Sequence, residues 1–181
     1  MTLEFIKIKE EHLEIIRKWR TDPDVSRFMY TDPSISPGEQ KRWYEKIQKD
    51  ASKRYWIIKS DDEYVGLVNF YDIDERNKRC SWAYYLGEAK HRGKGFGREI
   101  ELNILSHAFD ERGYNKLCCE VFAENEIVVK IHQKYGSKIE GVLRKHICKN
   151  CKFHDVVVMG ILKDEWDELK KGLHYPKIKI E

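Results

Sequence analysis

The stretch from residue 91 to 98, HRGKGFGR, holds the residue types best able to bind a charged ligand. Its spacing is Arg92-x-x-Gly95-x-Gly97, and a helical pattern follows it. Glycine adopts backbone conformations that other residues avoid, so successive N–H groups can point to one place at a helix start. With cations around them, these groups suit a pyrophosphate. The residues expected to bind it are Arg92, Gly93, Lys94, Gly95, Phe96, Gly97 and Arg98.

Two better-known phosphate loops do not fit this stretch. A Walker loop needs G-x-x-x-x-G-K-[ST], and the chain has no such string. A dinucleotide fingerprint needs a third glycine where Ile100 stands, and it belongs after a first parallel strand rather than in mid-chain. A basic, solvated loop without a ligand stays open as an alternative.

The elements that must position this loop follow from the apolar periodicity. Ser36-Pro37-Gly38-Glu39 has the form of a capped helix start, and Lys149-Asn150 is expected to be a tight turn. The order is β, α, α, β, β, β, α, β, α, β, β, α, which indicates a mixed α/β protein. Strands are expected at 3–8, 54–59, 64–71, 80–86, 116–122, 138–147 and 152–162, and helices at 11–20, from 36, 95–111, 126–135 and 164–171.

Composition excludes several classes of protein. Of the 181 residues, 41% are hydrophobic and 36% are charged, and the net charge is +3. Charge spread this evenly argues against a nucleic-acid binder, and no apolar run is long enough to span a membrane. The N-terminus lacks the apolar block of a signal peptide, so we expect a cytoplasmic protein whose five cysteines are reduced.

The loop and the elements around it resemble the GCN5-related N-acetyltransferase (GNAT) family. The family signature [RQ]-x-x-G-x-[GA] lies between a strand and a long helix, as Arg92 to Gly97 does here. The resemblance implies that 1–181 is one domain. It also implies a mixed, mostly antiparallel sheet of about seven strands, with helices on both faces and a splay between 80–86 and 116–122. The loop would bind the pyrophosphate of acetyl-CoA, with no metal.

The resemblance also implies how the rest of acetyl-CoA is bound. The pantetheine arm would pair with the backbone at Tyr84, Tyr85 and Leu86, and the N–H of Leu86 would polarise the thioester carbonyl. The family frame N-x-x-[AS]-x-x-x-Y, whose tyrosine protonates the CoA sulfur, is matched from Asn125 to His132, with histidine at the tyrosine position.

Acetyl transfer to an amine needs a base, and Glu120 is the first candidate. It stands in an otherwise apolar strand, on the same face as Cys118 and Phe122. Partial desolvation there is expected to raise the pKa of the carboxyl group toward a useful range. A structural carboxylate paired with a neighbouring cation is the alternative.

His132 is the candidate acid. Val128, Ile131 and Tyr135 share its helix face, so the histidine belongs to the buried stripe. An imidazolium can donate a proton at neutral pH. A satisfied core histidine is the alternative, and Tyr135 is the fallback acid.

The string His146-x-Cys148-x-x-Cys151-x-x-His154 is spaced like a zinc site. With the turn at Lys149-Asn150, Cys148 and Cys151 become cross-strand partners on one face and His154 points to the other. We therefore expect no metal, and no disulfide in a reducing compartment.

The acceptor is expected to lie near the N-terminal helices. Aromatic side chains there are suited to stack on a flat ring, with simple core packing as the alternative. Arg20 or Arg27 could meet phosphates. The expected substrate-binding residues are Trp19, Arg20, Met29, Tyr30, Trp43 and Phe70.

This N-terminal stretch resembles the acetyltransferases of pseudaminic acid biosynthesis. They share W-R-x-x-P-x-[VI]-x-x-x-M-Y-x-x-x-x-I-S, which matches here over 18 positions from Trp19 to Ser36. The resemblance implies a UDP-linked 4-amino sugar as acceptor, with Met29 and Tyr30 lining its pocket.

Three alternatives remain open. The C-terminal strings from Glu140 to Lys145 and at His154-Asp155 also occur in spermidine and ribosomal-protein acetyltransferases. Acidic turns at 61–63 and 72–75 would suit a polyamine, although they are ordinary turn compositions. The third alternative is not an enzyme but a non-catalytic module that binds acetyl-CoA. We expect a monomer or homodimer with a small-molecule amine, no nucleic acid and no membrane.

Overall fold

The computed structural model describes residues 3–31 and 34–181. Eight strands pair into one open sheet in the order β6-β7-β5-β4-β3-β2-β1-β8. The β4–β5 and β1–β8 pairs are parallel, whereas β1–β2, β2–β3, β5–β7 and β6–β7 are antiparallel. The strands are β1 Leu3–Lys7, β2 Arg54–Ser60, β3 Glu63–Asp74, β4 Arg79–Leu86, β5 Lys116–Phe122, β6 Lys138–Lys149, β7 Lys152–Leu162 and β8 Lys179–Ile180.

Within the described residues, six α-helices accompany the sheet: α1 Leu13–Thr21, α2 Pro23–Ser26, α3 Pro37–Lys49, α4 Phe96–Ser106, α5 Glu126–Lys134 and α6 Lys163–Leu169. A π-helical segment, His107–Glu111, follows α4, and short 3₁₀ turns occupy Glu10–His12, Ala89–His91 and Lys170–Gly172. The mixed α/β fold with a mostly antiparallel sheet is therefore confirmed. The sheet has eight strands instead of the expected seven because the C-terminal residues 179–180 pair with β1.

The chain forms two compact units. One comprises the described residues of 1–73 together with 83–96 and 177–181, and the other comprises 74–82 and 97–176. Strand β4 begins in the second and ends in the first. The expectation of one domain over 1–181 stays a prediction.

The first unit is built around α1, whose apolar residues recur at helical spacing. Its core consists of Ile8, Leu13, Ile16, Trp19, Val25, Ile47, Ile57 and Leu67, all buried. Helix α3 begins as the sequence predicts: Ser36 Oγ accepts from the N–H of Glu39, and the Glu39 carboxylate accepts from the N–H of Ser36. Helix α1 ends at Thr21, and Pro23 begins the short helix α2, with Asp22 as its cap.

The second unit joins β5, β6 and β7 to the start of β4 and carries α4 and α5. Gly136 adopts a φ of +95°, as expected for a residue that ends α5. Gly113 likewise has a positive φ of +66° after the π-helical segment that continues α4. Both glycines therefore have the left-handed backbone conformation that commonly ends a helix.

The turn between β6 and β7 lies one residue later than expected. Lys149 pairs with Lys152, so the two turn residues are Asn150 and Cys151, both with positive φ. Cys148 pairs with Phe153, and Cys151 stands in the turn. The expected cross-strand pairing of Cys148 with Cys151 is therefore wrong.

Within 3–31 and 34–181, no helix is both long enough and apolar enough to cross a membrane.

Candidate active site

The loop before α4 has the backbone that its glycines predict. Gly93 and Gly95 have φ values of +77° and +86°, in the region that L-residues avoid. A Cβ at either position would meet nothing within 4 Å, so conformation rather than space requires glycine. Helix α4 begins directly afterwards, at Phe96, whose side chain is buried beside the His91 ring.

The cations of the loop are available to a ligand. Arg92, Lys94 and Arg98 are all exposed. Arg92 donates to the carbonyl of Asp24 at 3.3 Å, and Arg98 donates to the carbonyl of His174 at 2.8 Å. Neither contact neutralises the guanidinium, because a carbonyl carries no net charge. An exposed, basic loop with left-handed glycines at a helix start fits a pyrophosphate.

The end of β4 packs closely against other residues of the first unit. A Cβ on Gly66 would lie 2.2 Å from the carbonyl oxygen of Tyr85, and one on Gly87 would lie 2.2 Å from the Trp19 ring. The N–H of Gly87 donates to the carbonyl of Val65 at 2.9 Å. Tyr84, Tyr85 and Leu86, which the family resemblance assigns to acetyl-CoA, are half-buried.

The parallel pairing of β4 with β5 covers the first part of β4. It joins Arg79 to Lys116, Cys80 to Leu117 and Ser81 to Cys118. The residues of β5 after Cys118 continue their pairing with β7. The expected splay between 80–86 and 116–122 stays a prediction.

Glu120 does not have the burial on which its proposed role depended. Its side chain is exposed, whereas Leu117, Cys119 and Val121 are buried. The apolar neighbours on either side of Glu120 point to the opposite face of the strand. The expected desolvation of Glu120 is therefore wrong.

His132 is buried, as its helix face predicts, and it has a partner. It is 5% exposed, and its Nδ1 lies 2.8 Å from Oε1 of Glu101, which is 1% exposed. The Trp82 ring meets the imidazole edge-on at 5.3 Å between centroids. Asn125 precedes α5 without a side-chain cap bond, and burial raises the pKa of Tyr135, the fallback acid.

The expected acceptor residues divide into core and partly exposed groups. Trp19 lies in the core of the first unit, and Phe70 is 1% exposed and packs against Trp56. Phe70 is therefore corrected to a core residue, since a side chain so fully covered cannot stack on a ligand. Met29, Tyr30 and Trp43 are half-buried, and Trp43 meets the Tyr55 ring edge-on. The turn at Asp32-Pro33 lies outside the described residues.

Arg20 is the most informative of these residues. Its Nη2 donates to Thr31 Oγ1 at 3.2 Å, but its Nε is buried without a hydrogen-bond partner among the described residues. The hydroxyl of Tyr85 is in the same position, and burial raises its pKa while Arg20 lowers it. Burial also raises the pKa of Tyr55, again opposed by Arg20. A cation and two phenols therefore lie near one another, and Arg20 Nε and the Tyr85 hydroxyl have hydrogen-bonding capacity left over.

A groove on α1, here called the acidic groove, lies in the same unit. It has a volume of about 630 Å³. Its residues are Glu11, Glu14, Ile15, Lys18, Trp19, Asp22, Tyr64, Gly87 and Glu88. Four carboxylates face one lysine, although Glu14 is already bonded to Arg17 at 2.8 Å.

Sequence reasoning missed Glu101 and Tyr55. A signal for Glu101 was present: it is a single carboxylate in a helix where Ile100, Leu102, Ile104 and Leu105 surround it. Those positions at i−1, i+1, i+3 and i+4 leave little polar helix face for it. Tyr55 had no comparable signal, because aromatic residues are ordinary in strands.

Comparison with known proteins adds to this geometry. A family model described as acetyltransferase (GNAT) domain matches residues 2–138. Acetyltransferase PseH of Campylobacter jejuni is 32% identical over 130 residues, covering 72% of this chain and 79% of the relative. Spermidine N(1)-acetyltransferase of Escherichia coli is 23% identical over 159 residues, covering 88% of this chain and 85% of the relative.

Among solved structures, spermidine N-acetyltransferase from Vibrio cholerae in complex with CoA and spermine has a TM-score of 0.86. The match covers 91% of this chain and 98% of that one at 22% identity, which shows a shared fold. The chain therefore belongs to the GNAT family, and it is an acetyl-CoA-dependent N-acetyltransferase.

Proposed function

We propose that this enzyme acetylates the 4-amino group of a UDP-linked 4-amino-4,6-dideoxy sugar, in the cytoplasm, by direct attack of the amine in a ternary complex. The pattern that spans 18 positions from Trp19 to Ser36, with eight of them specified, supports this acceptor. Two PseH relatives, 32% and 28% identical, support it as well.

The observation that carries the proposal is the buried, unpartnered Nε of Arg20 beside two tyrosines. A guanidinium offers five donors in a fork that matches phosphate oxygens. The same cation repels a polyamine, which carries positive charge at every amine. A diphosphate-bearing acceptor therefore suits this part of the first unit better than spermidine does.

For acetyl-CoA, the proposed binding residues are those of the loop from Arg92 to Arg98, with Asn125 and the end of β4. The proposed oxyanion donor is the backbone N–H of Leu86, and the proposed acid is His132. Such donors and acids each contribute substantially to acyl transfer. Because Glu120 is exposed, we assign it the role of taking the amine proton through water.

The first test is thiol release from acetyl-CoA with three acceptors: a UDP-4-amino sugar, spermidine and a peptide with a free N-terminus. We expect kcat/KM to be at least ~100-fold higher for the nucleotide sugar, because its extra phosphate contacts contribute binding energy that the others lack. A preference for spermidine or the peptide would reject the acceptor and leave acetyl transfer intact. No thiol release with any amine, despite acetyl-CoA binding, would favour a binding module.

The second test compares two arginines of α1. Arg20→Gln should raise KM for the nucleotide sugar about 10-fold or more, since one charge-assisted phosphate contact is worth roughly 1.5–3 kcal/mol. Arg17→Gln is the matched control, because Arg17 is already bonded to Glu14 and to the carbonyl of Ile35. Equal KM values in the two variants would remove Arg20 from the acceptor site.

Spermidine remains the second candidate acceptor, and the acidic groove favours it. Several carboxylates there would attract a polycation. In that case Glu11→Gln and Glu88→Gln should each raise KM for spermidine, whereas Arg20→Gln should leave it unchanged or lower it.

A further inference from the structure

Glu101 and His132 form a buried ion pair in the second unit. The carboxylate on α4 and the imidazole on α5 are both almost fully covered, and Nδ1 lies 2.8 Å from Oε1. The other carboxylate oxygen, Oε2, is buried with no hydrogen-bond partner among the described residues. Burying a carboxylate that is only half satisfied costs several kcal/mol by the usual measure.

The surroundings of the pair are short of positive charge. Cys119 on β5 lies near enough that Glu101 adds to the rise in its pKa, which burial dominates. Tyr135 at the end of α5 and Arg98 at the start of α4 are the other titratable groups that interact across this region. Within 3–31 and 34–181, His132 is the ion-pair partner of Glu101.

The bond fixes which nitrogen of the ring does what. An ionised carboxylate can only accept, so Nδ1 carries a proton and donates it to Glu101. The described residues provide no hydrogen-bond partner for Nε2. The imidazole therefore keeps Nε2 as the nitrogen that can act on a ligand, in an orientation set by Glu101 and by the Trp82 ring.

We infer that Glu101 is a positioning residue, which holds His132 with Nδ1 bonded so that Nε2–H delivers a proton to the departing CoA thiolate. The inference rests on the proposed acid role of His132. In the step, the amine nitrogen forms the new C–N bond as the C–S bond breaks, and the thiolate takes the Nε2 proton. The nitrogen of the acetylated amine releases its own proton to water near Glu120, and His132 is then reprotonated from solvent.

Stability alone does not account for the pair. Buried ion pairs are commonly no better than apolar side chains of the same volume. A leucine in place of Glu101 would complete the apolar face of α4, but the chain has a carboxylate at this position. A site kept at a cost to stability is the usual mark of a functional requirement.

The main test is Glu101→Gln, which keeps the shape and can still accept from Nδ1 but lacks the charge. We expect kcat to fall about 10- to 100-fold, in the range found for partners that orient a reactive imidazole, with KM for acetyl-CoA nearly unchanged. Asn103→Ala is the matched control: it removes a buried polar side chain of α4, bonded to the carbonyls of Glu99 and Pro176, and should leave kcat nearly unchanged.

A double variant separates positioning from general damage. His132→Tyr installs the tyrosine that the family frame has at this position, and a phenol needs no imidazole orientation. Glu101→Gln should therefore cost less than about 3-fold in kcat in that background. An equal loss in both backgrounds, or an unchanged kcat in the single variant, would overturn the inference.

One measurement needs no catalytic turnover and therefore tests the inference whichever amine is the acceptor. Nitrogen-15 NMR of the unliganded wild-type protein reports which ring nitrogen of His132 carries the proton. We expect a protonated Nδ1 that exchanges slowly with water. An unprotonated Nδ1 would overturn the inference, whereas failure of the nucleotide-sugar acceptor would not affect this result.

Discussion

Three histidines are buried among the described residues: His12, His91 and His132. His12, in the first unit, and His132, in the second, differ in the group that Nδ1 meets. Nδ1 of His12 accepts from the backbone N–H of Lys9 at 3.1 Å. Nδ1 of His132 lies 2.8 Å from Oε1 of Glu101. His12 is 0% exposed and His132 is 5% exposed, so burial does not distinguish them.

The partner decides what each ring can do. Because Nδ1 of His12 must stay unprotonated, its Nε2–H is free to donate to the Tyr64 hydroxyl at 3.2 Å, and the ring is neutral. Burial lowers the pKa of His12, with Glu11 opposing the change and Lys9 adding to it. A backbone donor thus holds His12 neutral, whereas the buried carboxylate of Glu101 lies beside Nδ1 of His132.

The largest expected difference between the two sites is in stability. Glu101→Ala leaves the Nδ1–H of His132 buried and unpaired, so the free energy of unfolding should fall by about 3 kcal/mol. Glu11→Ala is the control, because Glu11 lies 3.4 Å from His12 Nε2 but is largely exposed, and should change it by less than ~0.5 kcal/mol. Urea unfolding measures both, and equal losses would show that the partner carboxylates are alike.

Replacing both members of the pair sharpens this prediction. Glu101→Leu with His132→Phe should recover most of the lost stability, since apolar replacement of a buried ion pair is often neutral or favourable. The same double variant should lose turnover. A double variant as unstable as Glu101→Ala would mean that the pair is needed for folding rather than for chemistry.

The next expected effect is on pH dependence, at His12. Its folded-state pKa is lowered from 6.5, so the unfolded chain binds a proton first as pH falls. The free energy of unfolding should therefore drop below pH 6.5, by at most ~1.4 kcal/mol per pH unit from this group. In His12→Asn, whose side-chain oxygen can accept from Lys9, the slope of stability between roughly pH 7 and 5.5 should be shallower. Identical slopes would contradict a neutral His12.

The smallest expected effect comes from Tyr64→Phe. The change removes the acceptor of the His12 Nε2–H and keeps the edge-on ring contact at 4.9 Å between centroids. One neutral hydrogen bond is worth about 1 kcal/mol, and thermal unfolding would register that loss. No loss would indicate that the ring packing, which this variant keeps, holds His12 without help from the hydrogen bond, and a loss above ~3 kcal/mol would contradict a single neutral hydrogen bond.

Features set by local backbone geometry were predicted well from the sequence. The loop glycines and the capping box at Ser36 are examples, because a positive φ or an orphan N–H restricts the residue type at that very position. The order of strands and helices along the chain was also predicted from the sequence, because the apolar periodicity of most elements is clear.

Features that depend on distant partners could not be predicted in this way. The Glu101–His132 pair joins residues 31 positions apart, and neither pattern specifies the other. Glu120 was misjudged because apolar residues flank it in the chain but occupy the opposite strand face. The Asn150-Cys151 turn was missed by one residue because asparagine is acceptable at either turn position.

The close fit around the end of β4 has a consequence for how this enzyme can change. Tyr85 is backed by Gly66, and Gly87 is covered by the Trp19 ring, so any side chain at either glycine would collide. The backbone from Tyr85 to Gly87 is therefore closely packed within the first unit. New acceptor preferences can therefore arise by altering the partly exposed aromatic and cationic side chains, while the two glycines tolerate no substitution.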